Sequence, residues 1–292
     1  MRKSSLDIAK VEIISFFDRQ DKKVYKTYTI KDIFYQNRDS WQLVNSISLN
    51  NFLEYLVKNA NFEKTVLTFP SRKEIMYSWG KVSIFEIALA IKSGSYFTHH
   101  TAMLLHGLTN KSFRVIYVNH EQAPKRYGSS DLIQERIDAA FRKAPRVSRN
   151  KARYKENTIL LINGMHTGEY GVINTLGENK ELIRLTNIER TLIDISVRPV
   201  YSGGVHQVLN AYKLARDKVS IKKLVSTLKM LGYTYPYHQI IGFYMEKTGL
   251  YEEKELMQLN EIGIFYDFYL THGMRNTSYS NRWRLYYPKD FD

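Results

Sequence analysis

The chain has 292 residues and no cysteine. Thiolate nucleophiles, disulfides and cysteine-based zinc sites are therefore excluded. No apolar run approaches the roughly 20 residues of a membrane span, and no internal repeat or low-complexity tract is present. Asp7, Lys10 and Glu12 interrupt the apolar stretch at the N-terminus, so it lacks the pattern of a secretory signal. We therefore expect a cytoplasmic protein that does not enter a membrane.

Recognisable active-site motifs are also missing. The chain has no phosphate-binding glycine loop. A nucleotidyltransferase would need an Asp-x-Asp pair after its Gly-Ser turn to hold two metal ions, and none follows Gly128–Asp131. His99 and His106 share one face of a predicted helix, but no third ligand lies at a suitable spacing. Glu252–Lys254 resembles the tail of a metal-dependent nuclease motif but opens a predicted helix. We expect no catalytic residue, no metal and no cofactor, and hence no enzyme.

What the chain does have is an excess of positive charge. Lys and Arg total 43 against 29 Asp and Glu, which gives a net charge of +14 and a pI near 9.6. Hydrophobic residues make up 43% of the chain, enough for a sizeable core. An excess of this size favours a polyanionic partner, because each phosphate neutralised releases counterions. The alternative is a basic but unoccupied surface, and only the positions of the charges can decide.

The first 80 residues have the pattern of a winged helix-turn-helix. Apolar residues recur at helical spacing in Ser5–Phe17, from Thr29 onwards, and in Ser48–Ala60. Two short strands are predicted next, at Lys64–Phe69 and Glu74–Trp79. Three helices followed by a hairpin is the order of elements in winged-helix domains. In helix-turn-helix proteins the second helix of the motif lies in the major groove.

The third predicted helix and the hairpin supply the candidate DNA contacts. Asn side chains suit adenine edges, whereas Lys and Arg suit phosphates. Two alternatives stay open, because this order of elements also occurs in modules that bind proteins, and a helical subdomain can simply expose a polar face. The candidate DNA-binding residues are Asn50, Asn51, Tyr55, Lys58, Lys64, Arg72 and Lys73.

Residues 81–292 predict a larger mixed domain, so that the whole chain is of the α+β class. Helices are expected at Ser83–Lys92, Thr98–His106 and Ser129–Lys143, with Ser129 or Ser130 as the cap of the last. Strands and a helical section with four consecutive helices follow, and a subdivision near residue 186 is possible on this pattern. Within the section, Arg190 and Asp194 stand four residues apart on one helix and should form a structural ion pair.

A basic segment, residues 142–155, is the strongest local charge signal. Residues 111–155 hold twelve basic and four acidic residues, so they carry +8 of the total charge of +14. This pattern favours a second nucleic-acid contact or a surface for an acidic partner, and the alternative is a solvated linker. Seven of its fourteen residues are basic and none is acidic: Arg142, Lys143, Arg146, Arg149, Lys151, Arg153 and Lys155.

Several stretches, taken in order, resemble the AbiEi family, the antitoxins of type IV (AbiE-type) toxin–antitoxin systems of phage abortive infection. They are Phe85–Leu108, Ile116–Lys125, Leu185–Asp194, Tyr201–Val205 and Trp283–Pro288. The resemblance covers most of the chain from about residue 85. The sequence departs from the usual short N-terminal form, because residues 35–47 insert between the second and third predicted helices.

The resemblance implies a repressor that binds double-stranded DNA at its own promoter. It also implies a C-terminal antitoxin domain that opposes a nucleotidyltransferase-like toxin, without a stable complex being required. Two alternatives remain on the residues alone. One is a defence-system regulator whose winged helix binds protein, and the other is a cryptic nuclease or nucleotidyltransferase.

Overall fold

A computed structural model describes residues 4–112, 114–124 and 131–291. The fold belongs to the α+β class, as the sequence predicts. It consists of two units: the first comprises Met1–Ser93, Ala152–Lys155 and Leu176–Ile183, and the second comprises Gly94–Lys151, Glu156–Thr175 and Arg184–Asp292. No helix in the described part of the chain is both long enough and apolar enough to cross a membrane.

The first unit contains four helices and a three-stranded sheet among its described residues. The sheet has the order β1-β3-β2, and all of its pairings are antiparallel. The bounds in chain order are α1 (Ser5–Asp18), β1 (Val24–Lys26), α2 (Thr27–Asn37), α3 (Leu49–Asn59), β2 (Phe62–Phe69), β3 (Arg72–Trp79) and α4 (Ile84–Ala90).

Capping boxes fix where three of these helices begin. The side chains of Ser4, Ser48 and Ser83 each accept a hydrogen bond from the backbone N–H three residues later. The side chain of that later residue in turn accepts from the backbone N–H of the serine. Each box satisfies backbone groups that the first turn of a helix leaves unpaired. The helices then bury one face in an aromatic core, in which Phe52 stacks on Trp41 at 5.7 Å between ring centroids.

The insertion between α2 and α3 is part of this core. Trp41 and Leu43 are buried, and Arg38 Nη2 donates to the carbonyl oxygens of Val44 at 2.7 Å and Ile47 at 3.2 Å. The extra residues therefore cover the aromatic core, and their backbone is bonded to the end of α2.

Two features of the first unit differ from the sequence prediction. The hairpin register pairs Phe69 with Arg72, so only Pro70 and Ser71 form the turn, and the two basic residues predicted for the loop belong to β3. The unit also extends to Ser93 and includes α4, whereas the predicted domain ended at residue 80. The physical reason is contact with β1, because Lys26 Nζ donates to the Ile91 carbonyl oxygen at 2.6 Å.

The second unit contains the remaining elements, except that Ala152–Tyr154 of β6, Leu176 of β8 and Leu182–Ile183 of β9 belong to the first unit. Its helices are α5 (His99–Leu105), α6 (Gln134–Phe141), α7 (Ile188–Val197), α8 (Val205–Ala215), α9 (Ile221–Leu231), α10 (Tyr237–Thr248) and α11 (Glu253–Asn260), with a 3-10 turn at Pro199–Tyr201. The strand bounds are β4 (Tyr96–Phe97), β5 (Val115–Glu121), β6 (Lys151–Tyr154), β7 (Asn157–Gly164), β8 (Val172–Leu176), β9 (Leu182–Thr186), β10 (Phe268–Tyr269), β11 (Thr277–Ser280) and β12 (Leu285–Pro288).

A mixed sheet and a helical layer form this unit. The central strands have the order β7-β5-β4-β9; β5 is parallel to β7 and antiparallel to β4, and β4 is parallel to β9. Helix α7 follows β9 and packs against α5, α8, α9 and α10, with eight consecutive buried residues. A small sheet of order β10-β12-β11 completes the unit.

Helices α8 to α11 are the four consecutive helices of the predicted helical section. The sequence predicts them at Gly204–Arg216, Ser220–Met230, Pro236–Lys247 and Glu252–Glu261, within about two residues of the observed bounds. Helix α6 begins at Gln134, five residues later than predicted. The cap predicted at Ser129 or Ser130, and most of the turn at Gly128–Asp131, lie outside the described residues.

Candidate functional site

The polar face of α3 is exposed. Asn50, Asn51 and Lys58 all lie on the surface, whereas Phe52, Leu53 and Leu56 are buried. Val57 is one of the apolar residues that recur at helical spacing in Ser48–Ala60, but it is 41% exposed, so the buried face of α3 is narrower than the sequence suggests. The helix therefore presents amide and ammonium groups along one side.

Two of the candidate residues on α3 have internal partners. Asn51 Oδ1 accepts from the Ser48 hydroxyl at 2.6 Å and from the Ser48 backbone N–H at 3.2 Å, which leaves its amide N–H₂ group without a bond in the described structure. The Tyr55 hydroxyl donates to Asp7 Oδ1 at 2.9 Å and so holds α3 to α1. Burial and this bond to the Asp7 carboxylate raise the pKa of Tyr55 to about 12.

The hairpin carries three candidate cations. Lys64 on β2 and Lys73 on β3 are exposed. Arg72 Nε donates to Glu74 Oε1 at 2.6 Å, and its guanidinium carbon lies 4.9 Å from the centre of the Phe69 ring. Lys26 Nζ also contacts Glu74, at 3.3 Å. Burial opposes ionisation of Glu74, but the bond from Arg72 and the charge of Lys26 outweigh it and lower its pKa. Arg72 is therefore partly neutralised.

The basic segment is not a freely solvated linker along its described length. The Ser148 backbone N–H donates to the Tyr201 hydroxyl at 2.7 Å, the Ser148 hydroxyl donates to the Leu161 carbonyl at 2.7 Å, and the Leu161 N–H donates to Asn150 at 2.8 Å. From Lys151 the chain continues as β6. This anchored backbone presents exposed cations at fixed positions. Arg142 to Lys151 belong to the second unit, and Arg153 and Lys155 to the first.

A second site, which the sequence did not predict, lies within the second unit. It is a cavity of about 510 Å³, and among the residues that line it are His99, Arg146, Ser148, Arg198, Tyr201 and Tyr233. We call it the polar cavity. Asn163, Gly164, Arg190 and Asp194 also border it. Strand ends, the basic segment and the last turn of α7 thus contribute side chains to one space.

His99 is the most unusual residue of the polar cavity. It begins α5 with a φ of +50°, a left-handed conformation that is uncommon for residues other than glycine. Its side chain is buried, and within the described residues its Nδ1 has no hydrogen-bond partner. Burial, reinforced by the charges of Arg198 and Arg190 and opposed by that of Asp194, lowers the pKa of His99 to about 4. The ring is therefore neutral at pH 7.

A buried ion pair forms one wall of the cavity. Arg190 Nε lies 2.7 Å from Asp194 Oδ1, as the four-residue spacing predicts. Asp194 Oδ2 accepts from the Thr98 hydroxyl at 2.9 Å, and Arg190 Nη1 donates to the Tyr170 carbonyl at 2.7 Å. These bonds hold α7 to Thr98, which precedes α5, and to the turn at Tyr170, which precedes β8; they support the structural role expected for this pair.

An adjoining network fixes the sheet end of the cavity. Asn119 Nδ2 donates to the Tyr96 hydroxyl at 2.7 Å, and Asn119 Oδ1 accepts from the Gly164 N–H at 3.0 Å. A Cβ atom at Gly164 would lie 2.5 Å from Asn119 Oδ1, so a larger residue would displace the amide. The Tyr96 hydroxyl in turn donates to Glu121 Oε1 at 3.0 Å.

The sequence predicted roles for only some of the residues that line the polar cavity. Arg146 was predicted as a basic-segment residue, and the Arg190–Asp194 pair follows from helical spacing. His99 and His106 were predicted to share one face of a helix; in the structure His106 Nε2 lies 2.6 Å from the Thr186 carbonyl oxygen. Nothing in the sequence indicated that His99 and Arg146 border the same space, because 47 positions and several strands separate them.

Comparison with known proteins gives a fold but no function. No protein-family model matches this chain, and no curated protein matches it. Among solved structures, it is similar to the crystal structure of the RV2827C protein from Mycobacterium tuberculosis, with a TM-score of 0.59 and 11% sequence identity. The match covers 98% of this chain and 93% of that chain. At this identity the similarity concerns the fold alone.

Proposed function

We propose that this protein is a DNA-binding regulator that contacts duplex DNA through its first unit. The observation that carries the proposal is the order α1-β1-α2-α3-β2-β3, in which an exposed polar helix is followed by a hairpin with exposed lysines. This is the order of elements in winged-helix domains. In helix-turn-helix proteins a helix of this kind enters the major groove, and basic side chains nearby contact phosphates.

The internal bonds of the candidate residues divide their roles. Asn50 is exposed and makes no hydrogen bond through its side chain within the described structure, so it can offer both its donor and its acceptor to an adenine edge. The side-chain oxygen of Asn51 already accepts a hydrogen bond from Ser48, the cap of α3. Lys58, Lys64 and Lys73 are the candidates for phosphate contact, and Arg72 is weaker because Glu74 neutralises it.

The resemblance to AbiEi antitoxins extends the proposal. On that basis the DNA is the protein's own promoter, and the chain counteracts a nucleotidyltransferase-like toxin encoded beside it. In this role the protein acts by binding and not by catalysis. The exposed cations of the basic segment support a second contact with DNA, which would lengthen the bound duplex.

Electrophoretic mobility shifts with the DNA upstream of the gene test the proposal. Asn50→Ala should lose about 1–3 kcal/mol of binding free energy and reduce the preference for the upstream sequence over unrelated duplex. Lys64→Gln with Lys73→Gln should weaken binding to both duplexes alike, because phosphate contacts carry no sequence information.

Two control variants accompany this experiment. Asn110→Ala removes an exposed amide from the second unit, and Lys222→Gln with Lys229→Gln removes two exposed charges from α9; both should leave the preference for the upstream sequence unchanged. If the first-unit variants bind like their controls, or if the wild-type protein does not prefer the upstream DNA, the assignment of this surface is wrong.

A further inference from the structure

The polar cavity contains more positive charge than the fold neutralises. Arg190 is paired with Asp194, but Arg146 and Arg198 form no ion pair with any described residue. Arg198 Nη1 donates only to the Arg146 carbonyl oxygen, at 3.0 Å. Two guanidinium groups that border one cavity and retain free donors form a favourable site for an anion, because the planar fork binds phosphate or carboxylate oxygens in pairs.

His99 indicates independently that the cavity receives a ligand. A buried polar atom without a partner costs free energy, and such atoms are rare in folded proteins. Left-handed backbone at a residue with a side chain adds strain, which concentrates at binding sites. Both features occur in His99, whose Nδ1 is unpartnered among the described residues. A polar group of a ligand would satisfy this nitrogen.

The size of the cavity and the other residues that line it indicate which kind of ligand fits. A volume of about 510 Å³ is within the range of pockets that bind small molecules. Tyr201 and Tyr233 both line the cavity. The Tyr201 ring already packs against His99 and Tyr117, so the half-buried Tyr233 is the ring that offers aromatic surface to a base. The Tyr201 hydroxyl accepts from the Ser148 N–H, so its own proton remains available to donate. The exposed amide of Asn163 can offer a donor and an acceptor to a base edge.

We propose that the polar cavity binds a free nucleoside monophosphate, with its phosphate on Arg146 and Arg198 and its base against Tyr233. His99 donates or accepts one hydrogen bond from the ligand as a neutral imidazole. This site is separate from α3 and the hairpin, since every residue named for it belongs to the second unit; Arg146 is the one residue that it shares with the basic segment. It would make the regulator responsive to a small metabolite.

Isothermal titration calorimetry of the full chain at pH 7, without DNA, tests this site. The probes are AMP, GMP, CMP and UMP, together with their four nucleosides, inorganic phosphate and a 5′-phosphorylated oligonucleotide. At least one monophosphate should bind, and its nucleoside should bind about tenfold more weakly or worse, because it lacks the charge-assisted bonds. Binding of the oligonucleotide or of inorganic phosphate but of none of the monophosphates would overturn the proposal, as would equal binding of a monophosphate and its nucleoside or no binding of any probe.

Arg146→Gln is the decisive variant, because the bond from Arg198 goes to the Arg146 backbone and survives the substitution. It should weaken the monophosphate about tenfold or more. Arg149→Gln is the matched control, since Arg149 is an exposed cation of the same segment that does not line the cavity. Asparagine tolerates left-handed backbone, so His99→Asn should keep a melting temperature within a few degrees of that of the wild type. It should nevertheless weaken binding of the monophosphate. Equal affinities for Arg146→Gln and Arg149→Gln would show that the guanidinium groups do not hold the phosphate.

Discussion

At the scale of single residues, the buried pair of Arg190 and Asp194 shows how burial decides the value of an interaction. The side chains are 5% and 7% exposed, respectively. Removing one partner of such a pair leaves the other charge buried without compensation, at a cost of about 3–5 kcal/mol. We therefore expect Asp194→Asn, which preserves shape, to lower the free energy of unfolding by an amount in this range.

Chemical denaturation measures that loss, and the chain offers a matched control. Arg114 and Glu156 lie 3.7 Å apart with side chains that are 78% and 77% exposed. Exposed pairs contribute about 0–1 kcal/mol, so Glu156→Gln should change stability little. Similar losses for the two acid-to-amide substitutions would mean that the Arg190–Asp194 pair is not essential to the fold.

Residue spacing predicted this pair but not the conformation of His99. Positions four apart on a helix face each other whatever the tertiary structure, so the Arg190–Asp194 contact follows from local geometry. The left-handed backbone of His99, in contrast, occurs beside a residue with a distant partner, because Thr98 donates to Asp194, 96 positions away. Long-range constraints of this kind leave no periodic signal in a sequence.

At the scale of elements, amphipathic helices were predicted well and short strands poorly. Helices α3 and α9, for example, each bury one apolar face and begin at a serine cap, Ser48 and Ser220. Strands β1, β6 and β11 have three or four residues each, too few for an alternating pattern to be recognised. Tertiary packing could not be predicted from the sequence either. A Cβ atom at Gly242 in α10 would lie 2.2 Å from the ring of Trp283, which is 41 positions away along the chain.

The anchored basic segment gives a prediction at the same scale. Each lysine or arginine that contacts a duplex phosphate adds about −0.9 to the slope of log affinity against log salt concentration. If Arg142, Arg149 and Lys151 all contact DNA, replacing the three with Gln should make the slope shallower by about 3, with the sequence preference unchanged. Fluorescence anisotropy on labelled duplex at several salt concentrations measures the slope.

The control for this triple variant must remove the same charge from another surface. Lys213, Lys222 and Lys229 are exposed on α8 and α9, and their replacement by Gln should leave the slope almost unchanged. If both triple variants behave alike, the effect reflects net charge alone and the segment does not contact DNA.

At the scale of the whole molecule, the division into two units predicts that DNA binding and toxin neutralisation separate. The stretches that resemble AbiEi antitoxins lie largely in the second unit, whereas α3 and the hairpin lie in the first. We therefore expect a full-length variant with Asn50→Ala, Lys64→Gln and Lys73→Gln to lose affinity for the promoter but still protect cells from the toxin. All three positions are exposed, so the second unit should fold as in the wild type.

Co-expression with the proposed nucleotidyltransferase-like toxin, each protein from an unrelated inducible promoter, measures protection as growth. The unrelated promoters matter because they prevent repression by the DNA-binding surface from lowering the amount of toxin. Equal growth with the wild-type and triple-variant proteins, at equal cellular levels, is the expected result. If the variant fails to protect, neutralisation depends on DNA binding, and the assignment of the two activities to separate units is wrong.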